Sequence, residues 1–301
     1  MDGFNLISIG DLSSKEFTPI DWLLEPFLPR PSLTLIAGPP KVGKSWLCLF
    51  FALQIASNEN EVIYLANEDN ERRLKDRINS ICLFPPEGLH FIAGLSSEKV
   101  VPKGDAAHGF LRALVSRRPA TKCVIVDTLA AIRAGISQKR NRDEYSLSEE
   151  EFSNLRKLAH ELGITLILVH HTRKANENDA HPVERILGSQ GIAATVETIM
   201  VMKQELGSQD IALHVTGKDV EQQDLCFPWE RPGFGWPSEL AEARLGPFQS
   251  KCLAYIKDNP RCTQTSITEA LGCDKSQTSR AVDRLVERGL IIRNDMRLIA
   301  T

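Results

Sequence analysis

Residues 38–45 read GPPKVGKS, which fits the spacing G-x-x-x-x-G-K-[ST] without a mismatch. A glycine-rich octapeptide by itself is only a turn, and its flanks change the reading. The apolar run LTLIAG (33–38) feeds into it, and the nearly all-apolar SWLCLFFALQIAS (45–57) leaves it. A strand that runs through such a loop into a helix is the context in which this spacing has a mechanism. The glycines let the backbone curl until its N–H groups point at a phosphate, and the dipole of the following helix adds to the attraction. Gly38, Pro39, Pro40, Lys41, Val42, Gly43, Lys44, Ser45 and Trp46 are therefore expected to hold a nucleoside triphosphate. Lys44 should reach the β- and γ-phosphates, and Ser45 should offer its hydroxyl to Mg²⁺.

Three further apolar runs lie downstream: EVIYLAN (61–67), KCVIVDT (122–128) and ITLILVHH (164–171). Like the first they are unbroken rather than alternating, as strands buried on both faces of a parallel sheet require. Asp127 closes the second of these runs and is placed to act as a Walker B carboxylate, holding Mg²⁺ through a water. Helical periodicity falls between the strands. In SEEEFSNLRKLAHELG, Phe152, Leu155, Leu158 and Leu162 share one face, Ser148 and Glu151 read as a capping box, and Gly163 stands where the helix should stop. Alternating strands and helices imply an α/β fold with right-handed crossovers. VETIMVMK (196–203) and DIALHVTGK (210–218), joined by a short polar link, read as an antiparallel extension of the sheet.

Prolines and glycines then crowd PWERPGFGWPSEL (228–240) and interrupt any regular element. We expect a boundary there, with one domain over residues 1–240 and a second over 246–301. The second piece carries nine Lys/Arg against six Asp/Glu, so it is locally basic in a chain whose formal net charge is −3. It reads as a winged helix. FQSKCLAYIKDNP and SITEALG (with a Ser266/Glu269 capping box) give two helices, DKSQTSRAVDRLVERGLI gives a third ending at Gly289, and LIIRNDMRLIA gives a hairpin around Asn294 and Asp295. The third helix should bury Thr278, Ala281, Val282 and Leu285. It would then present Lys275, Ser276, Gln277, Arg280 and Arg284 to phosphates and to a major groove. A winged helix can equally serve protein contacts.

At 301 residues, 42% apolar and 25% charged, the chain is expected to be globular and soluble. Its seven cysteines are odd in number and scattered, with no Cys-x-x-Cys pair, so reduced thiols in a cytoplasm are expected rather than disulfides or a zinc site. No signal-type apolar core opens the sequence, and no run approaches the ~20 apolar residues of a membrane span.

With these parts in place the chain resembles the RecA-type ATPase core, and within it the RepA-like helicases of plasmids and mobile elements. The resemblance covers roughly residues 18 to 232. It rests on IDWLLEPFLPRPSLTLIAGPPKVGKSWL, VIYLANEDNERRLKDRI, VIVDTLAAI, LILVHHTRK, ERILGSQGIAATVETIMVM and LHVTGKD. It implies ATP and Mg²⁺ as ligands, hydrolysis at subunit interfaces, and a homo-oligomer, the hexamer of that family. It implies that a Glu just past the second core strand orients the attacking water. Glu68 in ANEDN holds that place, with Asp69 as its competitor. A carboxylate at a strand's end can accept the water's proton in line with the γ-phosphate. The resemblance makes His170 or His171 a sensor of the γ-phosphate; metal ligation is disfavoured because adjacent strand residues point to opposite faces. It also calls for an arginine finger from the next subunit. VETIMVMK and HVTGKD offer only Lys203 and Lys218, of which Lys218 is preferred, and lysine lacks the bidentate fork. The third helix of the C-terminal piece looks like the recognition segment of MarR-like winged helices.

RecA-type rings grip single-stranded DNA with loops after the core strands. RAGISQKRNRDEY (133–145) and TRKANENDAHPVER (172–185) occupy those places, with Arg140, Arg142, Arg173 and Lys174 available to phosphates. The expected function is an ATP-dependent DNA helicase or helicase-like motor, touching single strands at the core and duplex at the winged helix. The alternatives are a DNA-binding regulator or recombination mediator that uses ATP as an assembly switch, and an ATP-sensing transcription factor.

Overall fold

The structure, a computed structural model, describes residues 6–58, 60–94, 102–133, 144–173, 181–186, 189–204, 209–230, 233–243, 245–294 and 297–300. In chain order the elements are α1 (Ile9–Ser14), β1 (Asp21–Leu24), β2 (Leu28–Arg30), β3 (Ser32–Gly38), α2 (Lys44–Ser57), β4 (Glu61–Ala66), α3 (Glu71–Ile81) and β5 (Leu89–Ala93). There follow α4 (Asp105–Arg117), β6 (Thr121–Asp127), α5 (Glu144–Leu162), β7 (Thr165–His171), α6 (Ser189–Thr195), β8 (Thr198–Gln204), β9 (Ile211–Gly217) and β10 (Gln223–Phe227). Short strands β11 (Trp229–Glu230), β12 (Gly233–Phe234) and β13 (Ser238–Glu239) lead through α7 (Leu240–Ala243) to α8 (Pro247–Asp258), α9 (Gln264–Leu271), α10 (Lys275–Glu287), β14 (Ile291–Asn294) and β15 (Arg297–Ala300).

One sheet organises residues 32–239, in the order β13-β10-β9-β8-β3-β7-β6-β4-β5. The pairings from β8 through β3, β7, β6 and β4 to β5 are parallel, and β9 and β10 add antiparallel. The unbroken apolar runs do what such runs must, burying both faces. On one face α2 and the β1–β2 hairpin pack with Tyr64, Ile125, Ile167 and Val169. On the other, α4 and α5 pack with Ile63, Val124, Val126 and Leu168. Two layers of helix therefore cover a mostly parallel sheet, the RecA-type arrangement. Gly38 pairs with His171, and Ala66 with Asp127, so the C-terminal ends of β3, β4, β6 and β7 finish along one edge. In open α/β sheets that edge is where ligands bind.

Two expected caps are corrected. The helix over residues 148–163 begins a turn earlier, at Glu144, so Ser148 lies inside it rather than at its start. The Glu151 carboxylate accepts from the Arg133 Nε (2.8 Å) instead. In the C-terminal piece Thr263, not Ser266, caps α9. The Thr263 hydroxyl accepts from the Ser266 N–H while the Ser266 hydroxyl accepts from the Thr263 N–H, so Ser266, the third residue of the helix, closes the box and does not open it. The sequence reading also passed over β5, α4 and β10.

Residues 245–300 build a separate small core from Cys252, Leu253, Ile256, Ile267, Ala281, Val282, Leu285, Leu290, Ile291 and Leu298. Three helices and the β14–β15 hairpin, closed by the pair Asn294–Arg297, form a winged helix. On α10, Thr278, Ala281, Val282 and Leu285 are buried, and Lys275, Ser276, Gln277, Arg280 and Arg284 stand exposed. A Lys257–Glu242 ion pair (2.6 Å) ties α8 back to α7. All seven cysteines are free thiols. Among the described residues no helix is long and apolar enough to cross a membrane.

Candidate functional site

Period two along a strand sends every second side chain to one face. The face shared with α2 therefore receives Tyr64 and Ala66 of β4, Asp127 of β6 and His171 of β7. Beside them the loop 39–43 curls over the end of β3. Gly38 is required there because a Cβ would stand 2.9 Å from the Val42 Cγ1 and 3.1 Å from the Met202 Cβ. Gly43 adopts φ +101° at the entrance of α2, a left-handed conformation open to glycine. The loop is thus a concavity that side chains would fill.

Lys44 is buried, and its ammonium donates to the carbonyls of Gly38 and Pro39 (both 2.9 Å). It also lies 3.4 Å from the His171 Nδ1. Burial pushes its pKa below the lysine range, while the carboxylates of Asp127 and Glu68 oppose that shift. Asp127 is 5% exposed, and its Oδ2 accepts a hydrogen bond from the Tyr64 hydroxyl at 2.8 Å. Burial raises the Asp127 carboxyl above the usual range, countered by hydrogen bonds from Ser45 and Tyr64. Tyr64 is 1% exposed, and burial next to Asp127 drives its phenol well up. The Ser45 hydroxyl and the Asp127 carboxylate, hydrogen-bonded to each other, make an oxygen-only donor set of the sort a small hard cation takes. The residues present therefore fit both a phosphate chain and Mg²⁺.

Glu68 and Asp69 are separated by the structure. Glu68 is exposed at the end of β4, and its Oε1 accepts from the Thr128 hydroxyl at 3.0 Å. Asp69 is buried and doubly paired, to Arg73 (2.8 Å) and Arg77 (2.5 Å). The Arg77 guanidinium in turn lies 5.5 Å above the Trp46 ring. Asp69 thus joins α3 to α2 and has no free oxygen directed at a substrate. The histidines part in the same way. His171 meets Lys44, while His170 is buried on the α4–α5 face.

A cavity of about 500 Å³ opens beside the loop, lined by Lys41, Trp46, Gln204, Gln209, Trp229 and Phe234 among others. Trp229 and Phe234 stack edge-on (5.0 Å), and Trp46 meets Trp229 at 5.4 Å. Sequence reasoning named Trp46 but missed the two aromatic residues opposite, which come from short strands after the sheet. It also missed Tyr64 and Thr128. Tyr64 was legible in principle, since residues 64 and 66 share one face of β4.

The other expected residues lie elsewhere. Lys203 is exposed at the end of β8, at the same edge as the loop. Lys218 is exposed after β9 and donates its N–H to the Glu197 carbonyl, at the opposite edge. It cannot meet Lys44 of its own chain. The Arg173 guanidinium donates to the Glu184 carbonyl (3.1 and 3.3 Å). Arg140, Arg142 and Lys174 lie outside the described residues. On α10 the Asp274 side chain caps the helix, accepting from the Gln277 N–H and the Ser276 hydroxyl (both 2.7 Å).

A family described as AAA domain matches residues 4–177, and the MarR family matches residues 245–295. No curated protein matches the chain. Solved structures that share the fold include two at a TM-score of 0.53. One is titled as the ATPase domain of G40P (TM-score 0.53, 15% identity, 68% of this chain and 84% of that one). The other is titled as a DnaB-like replicative helicase and its interactions with primase (TM-score 0.53, 14% identity, 67% of this chain). The chain spans only 56% of the latter.

Proposed function

We propose that this chain, which belongs to the AAA domain family, hydrolyses ATP to drive a DNA motor of the helicase kind, resembling the RepA-like helicases of plasmids and mobile elements. The observation that carries this reading is the convergence of Lys44, Ser45, Asp127, Glu68 and His171 at one sheet edge, around a loop that calls for glycine at positions 38 and 43. The phosphates are held by the N–H groups of residues 38–45. Lys44 exchanges two backbone carbonyls for phosphate oxygens, so its charge is released to the substrate only on binding. Bound Mg²⁺, held by Ser45 and Asp127, supplies charge neutralisation of the phosphate oxygens. Glu68, oriented by the Thr128 hydroxyl, takes the proton of the attacking water. His171, against Lys44, senses the γ-phosphate, and the base and sugar occupy the aromatic-walled cavity at Trp46, Trp229 and Phe234.

In this reading residues 1–240 and 246–301 are two units, the first the ATPase and the second a duplex-binding winged helix. Lys218 acts in trans on the site of a neighbouring copy in a homo-oligomer. Arg140, Arg142, Arg173 and Lys174 meet single-stranded phosphates, and Lys275, Ser276, Gln277, Arg280 and Arg284 meet duplex. A second reading, ATP as an assembly switch without unwinding, is favoured by one observation. Where the resemblance calls for an arginine finger, VETIMVMK and HVTGKD offer only Lys203 and Lys218, and lysine supplies charge without the two-pronged geometry that steadies a transition state.

One experiment separates them: ATPase rate with and without single-stranded DNA, run beside mass measurement with a non-hydrolysable ATP analogue. The motor reading expects turnover stimulated several-fold by DNA and an analogue-dependent ring. Assembly without stimulation supports the switch. Neither turnover nor analogue binding would overturn both.

A further inference from the structure

Asp127 ends β6 with a carboxylate only 5% exposed, and two side chains hydrogen-bond to it, Ser45 from the loop helix and Tyr64 from the neighbouring strand. Tyr64 faces Ile125 in register, so its ring lies one step below Asp127 on the same face and its hydroxyl reaches up to Oδ2. The ring has little freedom to move. It is 1% exposed and packed on Phe91 of β5, with centroids 5.5 Å apart. A packed aromatic that spends its one donor on the metal-holding carboxylate is the arrangement by which outer groups orient metal ligands.

We propose that Tyr64 is a positioning residue for the Mg²⁺–nucleotide complex: by committing one oxygen of Asp127 to its hydroxyl, it fixes the carboxylate's rotation in the orientation that meets the cation beside Ser45. This rests on the nucleotide reading above and goes beyond it, since a phenol on the second core strand has no part in phosphate binding itself. A hydrogen bond to an ionised group is stronger than a neutral one, and losing it leaves a buried charge less well satisfied. The effect should therefore appear in the Mg²⁺ dependence and not in the affinity for free nucleotide.

The test is Tyr64→Phe in the full chain, read by binding of a fluorescent, non-hydrolysable ATP analogue across a Mg²⁺ titration and in EDTA. The expected result is unchanged affinity in EDTA and a half-saturating Mg²⁺ concentration raised about tenfold. With Asp127→Asn already present, the same substitution should add no further shift, since the coupled partner is gone. Superimposable Mg²⁺ curves would overturn the proposal. So would a loss of affinity that is equal with and without Mg²⁺, which would mark Tyr64 as packing alone. Should Tyr64→Phe not fold, Phe91→Leu loosens the ring while keeping the hydroxyl, and must give a smaller shift of the same sign; no shift there counts against the proposal. Failure of wild-type protein to bind the analogue at any Mg²⁺ would instead strike the nucleotide reading.

Discussion

The proposed nucleotide edge and the exposed face of α10 both rest on cations, but they hold them in opposite ways. Lys44 is 6% exposed, fastened to two carbonyls and ringed by Asp127, Glu68 and His171. Arg280 and Arg284 stand in solvent on α10, with Arg280 donating to the Ser276 carbonyl of its own helix. Charges in a low-dielectric recess act strongly on whatever enters, because water does not screen them. Charges on a solvated helix act weakly, additively, and only as far as salt permits. The first arrangement suits a reaction, the second a reversible grip.

Substitutions can break that comparison, and the largest effect belongs to the recess. Glu68→Gln should keep ATP binding and lower kcat about a thousandfold, because the amide accepts no proton. Its neighbour tests the assignment. Asp69→Asn should leave kcat within a few-fold while lowering stability by about 2 kcal/mol, as Arg73 and Arg77 lose the charge of a buried shared partner, the Arg73 end of the pair being half exposed and screened by solvent. If thermal melts and turnover gave the reverse pattern, the two carboxylates would exchange roles. Lys44→Ala should lower kcat/KM by about 10²–10³, the cost of one preorganised charged donor. A folded variant with normal turnover would remove the site from this loop.

The smaller effects belong to the solvated helix. Removing residues 246–301 should leave ATP hydrolysis within a few-fold of the full chain, since the residues assigned to the phosphate site lie upstream. Duplex affinity should fall and lose much of its salt dependence, measured by anisotropy across a salt series. Unchanged affinity would make the winged helix a protein-docking module. Smallest of all, Arg280→Ala should weaken duplex binding by about 1 kcal/mol and reduce the salt slope by about one. A tenfold loss in ATPase from that change would mean the two regions are coupled and not merely joined.

Legibility followed the same division. The four core strands, the loop and the burial of α10 were written in local pattern: apolar runs, glycine spacing and a 3.6-residue period. The weak strands were not. β5 is only partly buried at four of its five residues, so its LHFIA run lacks the density that marks a central strand. The cap errors at Ser148 and Ser266 arose because a capping-box spacing recurs inside helices and one turn into them. The sequence placed Glu68 ahead of Asp69 only through the resemblance and left His170 against His171 undecided, because adjacent residues share every local signal.

The sequence by itself determined that a strand, a glycine-containing loop and a helix follow one another, since that order is written in local pattern between residues 33 and 57. It also determined which face of α10 is buried, since one helix turn repeats the choice. Only the tertiary structure decided which carboxylate faces the site. Arg73 and Arg77 claim Asp69, Thr128 claims Glu68, and Tyr64 reaches Asp127 across 63 residues of chain. Such choices depend on which side chains the sheet order brings within hydrogen-bond distance, and hydrogen bonds act over about 3 Å whatever the separation in sequence.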